Sequence, residues 1–319
     1  MNSETKENLF LAIRNSPIFL IDTMNFFFRY KWVHKDLYIE EDDGTVVYTG
    51  SWFGICNLVQ TIRNHFPSSI LIFALDGYDK TRHTLNESYK SQRPEHKSDY
   101  AEIPTLLNFL SLVPNVFVSY NKDYEADDAI GSISRVVHRS CITNDFPSKV
   151  YILSNDKDMF QLVIDSDICP VQIIRKFGSG KGWLSDAEIV TEGAVSNTFQ
   201  GVKPRDLALY RAITGDASDN LKGYYRFRKK NASIIANNFW YDTESKHLVP
   251  KDGVVVHSSW NSFLSTIISD IDTLDSNYRI MKIKDFDFEV HKIHPKYSRE
   301  DTLKVLQHLQ MNKFYYYVK

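Results

Sequence analysis

The sequence predicts an α/β protein: a mostly parallel sheet flanked by helices, followed by a smaller, mainly helical C-terminal region. Three observations carry this expectation. Short apolar runs alternate with segments of helical spacing through the first half, several of those runs lead straight into acids, and from about residue 185 the alternation gives way to helical stretches.

The first run, Ile18-Phe19-Leu20-Ile21, is continuous rather than alternating, the pattern of a strand covered on both faces. Ile55, Leu58, Val59 and Ile62 then recur at helical spacing, and Ile70 to Leu75 reads as a second buried strand. A helix through Ile103, Leu106, Leu107 and Leu110 leads to a third strand at Val116-Phe117-Val118. Asp123 is expected to cap the next helix, whose first turns carry Glu125 and Asp128 and whose core face is Ile130, Ile133 and Val137. Val150-Tyr151-Ile152-Leu153 is the fourth strand. Strands that alternate with helices predict a parallel sheet, since the helices supply the crossover connections that parallel pairs need. Helices are expected over about 185 to 200, 204 to 214 and 231 to 240, with weaker strand signals at Val254-Val255-Val256 and from Tyr278 to Val290. The division is placed between a core of residues 1–190 and a C-terminal region of 191–319.

The chain has 319 residues, 38 Lys plus Arg against 40 Asp plus Glu, a formal charge of −2 and 43% apolar content. That is an ordinary globular composition, without the basic excess of a protein dedicated to gripping polyphosphate. No apolar run is long enough to cross a bilayer and the polar first residues lack signal-peptide character, so a cytoplasmic monomer with no membrane partner is expected. Cys56, Cys141 and Cys169 are widely spaced and form no CxxC pair, which argues against a disulfide framework or a zinc site. Gly178-Ser179-Gly180-Lys181-Gly182 is too short for a phosphate-binding loop and reads as a turn.

The acids at the strand ends are the chemical signal. Ile21 runs into Asp22, Leu75 into Asp76, and Leu153 through Ser154-Asn155 into Asp156 and Asp158, while the third strand leads to Glu125, Asp127 and Asp128. In an open parallel sheet the crevice beyond the carboxyl ends of the strands is the ligand site, so these acids should converge. Asp216 and Asp219 repeat the three-residue spacing of Glu125 and Asp128. Each acid alone is equally well a turn or cap residue. Together, carboxylates about 4 Å apart repel by roughly 4 kcal/mol per pair at an effective dielectric of about 20, which calls for cations. All-oxygen ligation indicates Mg2+ or Mn2+, and two such ions can clamp the attacking and departing oxygens of a phosphodiester.

Leu20-Ile21-Asp22, Ala74-Leu75-Asp76-Gly77, Tyr89-Lys90-Ser91-Gln92-Arg93-Pro94, Tyr124-Glu125-Ala126-Asp127-Asp128, Ser154-Asn155-Asp156-Lys157-Asp158 and Gly215-Asp216-Ala217-Ser218-Asp219-Asn220 together resemble the flap endonuclease family of 5′ nucleases. The resemblance implies a PIN-like core, a helical arch and a helix-hairpin-helix DNA-binding region. It implies two Mg2+ ions, replaceable by Mn2+, held directly or through water by Asp22, Asp76, Glu125, Asp127, Asp128, Asp156, Asp158, Asp216 and Asp219. It places Lys90 and Arg93 at the arch base against the scissile phosphate, and lets Tyr89 stack on a frayed base. DNA and RNA-DNA duplexes with 5′ ends or flaps are the implied partners, and a sliding clamp or single-strand-binding protein is a further candidate.

After Asp219 the chain departs from the family. Arg226 and Arg228 stand where hairpin glycines are expected, which leaves a potassium site in doubt and is similar to the tailed-phage ribonuclease H branch, which removes RNA primers. Lys222, Arg226, Arg228, Lys229 and Lys230 are cations with no acid among them, a second route to duplex phosphates. The aromatic tail Phe314-Tyr315-Tyr316-Tyr317 reads as a segment docked on the body. Two other functions compete. A phosphomonoester hydrolase lacks the second Asp expected in Asp22-Thr23-Met24-Asn25, and a non-catalytic nucleic-acid-binding scaffold would show degenerate carboxylates.

Overall fold

A computed structural model describes residues 16–92, 103–110, 112–175, 187–225, 227–291, 298–311 and 314. Its centre is a six-stranded sheet in the order β5-β4-β1-β6-β7-β8, formed by β1 (Ile18–Asp22), β4 (Ile70–Leu75), β5 (Val116–Tyr120), β6 (Val150–Leu153), β7 (Val171–Ile174) and β8 (Ile189–Val190). All pairs are parallel except β7 with the short edge strand β8. The four strands expected from apolar runs are all present. β1 lies in the middle because none of Ile18 to Ile21 tolerates water on either face, and each is at most 1% exposed.

Alternate residues serve opposite layers. Ile18, Leu20, Ile70 and Ile72 face α5 (Ala126–Thr143), whose Ile130, Ile133 and Val137 fill that side. Phe19, Ile21, Leu71 and Phe73 face α1 (Thr23–Val33), α2 (Gly50–His65) and α4 (Ile103–Leu110). Between α1 and α2 the chain makes a small hairpin, β2 (Tyr38–Glu40) with β3 (Val46–Tyr48). A short α3 (Lys80–Leu85) follows β4. Arg93, expected at the arch base, lies outside the described residues, as does the Gly178 to Gly182 turn.

After β8 come α6 (Glu192–Thr198), α7 (Leu207–Thr214), a hairpin of β9 (Gly215–Asp216) and β10 (Leu221–Lys222), and α8 (Lys229–Asn238). Then follow β11 (Phe239–Asp242) and β12 (His247–Pro250), α9 (Asn261–Ile268), α10 (Ile271–Met281) and α11 (Arg299–His308). The apolar layer on the α5 face continues through Leu207, Ile235, Ile267 and Leu274 without a break at residue 190. Leu306, Met311 and Phe314 return to the opposite layer.

Two expected strands are absent. Val254 to Val256 form a loop, with Val255 85% exposed, and the real hairpin lies just upstream at β11 and β12. Tyr278 belongs to α10, and the following segment meets the sheet's edge through one backbone bridge between Val118 and His291 and through the Ser119 hydroxyl, which donates to the Glu289 carbonyl at 2.9 Å. Its backbone donors go to side chains instead of to a strand: the Ile283 N–H to Gln161, Lys284 to Asp128 and Phe286 to Ser132. An extended segment whose donors are satisfied in this way needs no ladder.

Candidate metal centre and its basic rim

The chain leaves β1 for β4 and β5 on one side, then returns to build β6 and β7 on the other. β1 is therefore the switch point, where parallel sheets open a crevice beyond their carboxyl ends. Asp22 closes β1 at that point. Its Oδ1 accepts the Asn25 N–H at 3.2 Å, capping α1, and its Oδ2 accepts the Ser154 hydroxyl at 2.9 Å from beyond β6. The same Ser154 oxygen accepts the Asp156 N–H at 3.0 Å, so one hydroxyl ties two strand ends together.

Asp76 follows β4 directly, and its Oδ1 accepts the Ala126 N–H at 2.9 Å. This corrects the expected cap. Glu125, not Asp123, occupies the N-cap position of α5, and Asp76 supplies the side-chain oxygen from another strand. The contact draws Asp127, in the first turn of α5, towards Asp22 and Asp76. Burial pushes the Asp22 carboxyl up to about 8, reinforced by the negative charges of Asp76 and Asp127. Asp156 is raised by burial and then by Asp127, and Asp158 well above its ordinary value by burial and then by Asp156.

Asp158, Asp216 and Asp219 form a second group, with one carboxylate oxygen from each within 4.8 Å of the others. The β9–β10 hairpin delivers the last two. Its start requires glycine, because Gly215 has φ +75° and a side chain there would lie 2.2 Å from the Gly223 nitrogen. Crowded, desolvated, all-oxygen donors of this kind fit hard divalent cations.

Glu125 and Asp128 have other partners. Arg82, 2% exposed, donates from its two terminal nitrogens to both oxygens of Asp128 at 2.8 Å and to Glu125 Oε2 at 2.8 Å. Asp128, fully buried, also accepts the Lys284 N–H at 2.8 Å. In this structure Asp128 is a buried ion-pair partner, not a member of the carboxylate groups facing the crevice. The reason is helical geometry: adjacent residues 127 and 128 point about 100° apart, so only one can face the crevice. Glu125 sits between. Burial pushes it up, but Lys90 and Arg82 outweigh this and hold its carboxyl below the usual range.

Lys90 stands at the rim with its Nζ 2.7 Å from Glu125 Oε1 and 4.9 Å from the centre of the Tyr89 ring. Its N–H donates to the Asp219 carbonyl at 3.3 Å, joining the segment after α3 to the β9–β10 hairpin. Tyr89 is not placed to stack on a base. It is 3% exposed, packs with Leu221, Ile280 and Met281, and donates its hydroxyl to Glu125 Oε2 at 3.1 Å. Tyr89→Phe is therefore expected to leave nucleic-acid affinity unchanged while costing ~1 kcal/mol of stability. Fluorescence binding and urea unfolding measure the two effects; a loss of affinity at unchanged stability would restore the stacking role.

Lys222, Arg228, Lys229 and Lys230 are all exposed, the last three around the N-terminus of α8, and no carboxylate pairs with them among the described residues. Arg93 and Arg226 lie outside the described residues. Three functional-site residues escaped sequence reasoning. Arg82 sits in the polar run Asp79-Lys80-Thr81-Arg82-His83 and carries no local sign of burial. Asp79, which caps α3 and pairs with Lys284, is hidden for the same reason. Arg211 did leave a signal: a lone cation inside Leu207-Ala208-Leu209-Tyr210-Arg211-Ala212-Ile213, five residues before Asp216.

A parallel sheet that gathers carboxylates beyond the ends of β1, β4 and β6, with a cation at their rim, defines a protein of the PIN-like 5′ nuclease class. The chain belongs to the 5′-3′ exonuclease family: residues 17–200, more than half of its length, match the profile described as the 5′-3′ exonuclease N-terminal resolvase-like domain. It is 33% identical over 188 residues to DNA polymerase I of Synechocystis sp., a match covering 58% of this chain and 18% of the polymerase. It is 26% identical over 209 residues to the 5′-3′ exonuclease of Mycoplasmopsis pulmonis, covering 65% of this chain and 63% of the relative. The chain thus spans less than two thirds of either relative. In fold it is similar to the D15 protein of bacteriophage T5 co-crystallised with metal ions, with a TM-score of 0.56 at 16% identity, over 95% of this chain and 98% of the other.

Proposed function

We propose that this protein is a divalent-metal-dependent 5′ to 3′ nuclease that hydrolyses phosphodiesters near the 5′ ends of DNA and RNA-DNA duplexes. Flap cleavage and primer removal in phage-type DNA replication are the finer reading. The observation that carries it is the convergence of Asp22, Asp76, Asp127, Asp156, Asp158, Asp216 and Asp219, from separate elements, on one crevice rimmed by Lys90. Asp22, Asp76, Asp127 and Asp156 would hold one ion, and Asp158, Asp216 and Asp219 a second, with Mg2+ the expected species. When bound, such ions neutralise charge on a reacting phosphodiester. The bacteriophage T5 D15 flap endonuclease, similar in fold, was crystallised with DNA and metal ions, which supports the reading.

The chain's own residues do the rest. The Ser154 hydroxyl holds Asp22 Oδ2 and the Asp158 N–H holds Asp156 Oδ1, so these donors are oriented before any ion arrives. Lys90, anchored by Glu125, presents positive charge to a phosphate entering the crevice. The cations at the start of α8 offer duplex phosphates a second grip, reinforced by the helix N-terminus. With Mg2+, 5′-labelled hybrid, nicked and flapped substrates should be shortened, and EDTA should stop it. Intact substrates beside a working control enzyme would refute the proposal, and product lengths on a flap made once in RNA and once in DNA rank the substrates. Replacing Arg228, Lys229 and Lys230 together by Ala should reduce the slope of log affinity against log salt by about 2–3.

A further inference from the structure

We propose that Arg211 is a resident counter-cation of the Asp158, Asp216 and Asp219 group, which a divalent ion must displace, so that this site binds its ion more weakly than the site around Asp22 and Asp76. The inference rests on the metal-dependent reading above and concerns the order in which the two sites fill.

Arg211 is 9% exposed and lies in α7 among Leu207, Leu209, Ala212 and Ile213, all buried. Its Nε is 2.9 Å from Asp158 Oδ1, and a terminal nitrogen contacts Asp216 Oδ2. The guanidinium therefore sits against two of the three carboxylates that could hold the ion. Arg211 Nε and Asp158 Oδ1 are close, yet neither makes an aligned hydrogen bond, so the pair is held by charge and not by a directional bond. Such a contact is open to exchange for a small divalent ion. The first group differs: among the described residues no Lys or Arg forms an ion pair with Asp22, Asp76, Asp127 or Asp156. The second group thus has a cation in direct contact, whereas the first meets positive charge only at longer range, from Lys90 towards Asp76 and from Arg211 towards Asp156. An ion entering the second group must work against a cation already there, which lowers its affinity below what the three carboxylates alone would give.

The test uses the full chain and Mn2+ alone, without nucleic acid. Calorimetric titration of the wild type should resolve a tighter and a weaker site. Arg211→Gln should tighten the weaker site tenfold or more and leave the tighter one within twofold. Its melting temperature should fall in EDTA and recover in Mn2+, because the ion replaces the missing charge. Arg211→Lys, which keeps the charge, should hold the weaker site within threefold of wild type. An unchanged or weakened second site in Arg211→Gln overturns the proposal, as does an equal fall in melting temperature with and without Mn2+. Loss of ion binding in Arg211→Lys also overturns it, since the guanidinium would then be organising the site. If the wild type binds no Mn2+ at all, the metal-dependent reading itself fails, which is a distinguishable result.

Discussion

Asp22→Asn should lower cleavage by ~10³-fold or more, the scale expected when several kcal/mol of charge stabilisation is removed, and should also make the metal-free protein more stable at pH 8. Both effects have one cause. The Asp22 carboxyl is buried beside Asp76 and Asp127, and its pKa rises from an ordinary 3.8 to about 8. Below the unfolded value, both folded and unfolded chains hold the proton and the site contributes no penalty. As pH rises above 3.8 the unfolded chain releases its proton while the folded chain keeps it, so stability falls steadily until the folded carboxyl ionises near pH 8. Asparagine never ionises, and it caps helices as well as aspartate, so the Asn25 N–H keeps its acceptor. The advantage of the variant should therefore grow between about pH 4 and pH 8 in EDTA. With Mg2+ present the order should reverse, because only the wild type gains from an ion at the Asp22 site. Thermal melts in EDTA and in Mg2+ at pH 5 and pH 8, run beside the cleavage assay, check all of this. A variant that is inactive but no more stable in EDTA would mean that Asp22 is not under carboxylate repulsion.

The second large effect is expected at Arg82. Removing it as Arg82→Ala leaves Asp128 buried without its counter-charge and Glu125 with Lys90 alone, and costs ~3–5 kcal/mol. Arg82 also donates from Nε to the Ile280 carbonyl at 3.1 Å, so it fastens the end of α10 to α3 and α5. Loss of stability should be accompanied by misplacement of Lys90, which depends on Glu125 for its position. Urea unfolding in EDTA measures the first effect. Partial recovery in a triple variant that also carries Glu125→Gln and Asp128→Asn would show that unpaired charge, rather than lost packing, is responsible. A cost below 1 kcal/mol for Arg82→Ala would place this network near the surface in solution and sink the argument.

The fold was legible where one local rule dominated. Continuous apolar runs located β1, β4, β5 and β6 because strands buried on both faces tolerate no polar residue, and helical spacing located α2, α4 and α5. Legibility failed where a partner far away in the chain decided the outcome. Lys282 to Val290 alternates apolar and polar residues like a strand, yet Gln161, Asp128 and Ser132 take its backbone donors. The aromatic run Phe239-Trp240-Tyr241 reads equally as the end of a helix, and becomes β11 only because β12 turns back on it.

The same division runs through the site. Residue types, their order and their place after parallel strands are fixed in the chain's linear pattern, which is enough to bring acids to one edge of a sheet whose order switches at β1. Near-neutral net charge hid this. With the acids of the crevice set aside, Lys and Arg outnumber the remaining acids, and the even balance of 38 against 40 becomes an acidic crevice in a more basic chain. Which acids share that crevice depends on how the elements pack against one another. Asp127 and Asp128 are neighbours in sequence, but the turn of α5 sends one to Asp22 and Asp76 and the other to Arg82. Tyr89 is turned inward, and Arg211 is brought against Asp158 and Asp216. Side-chain direction and pairing depend on residues 200 or more positions apart, such as Arg82 and Lys282 or Asp79 and Lys284. A linear pattern specifies which groups are present, and the free energy of burying charge specifies which of them must meet.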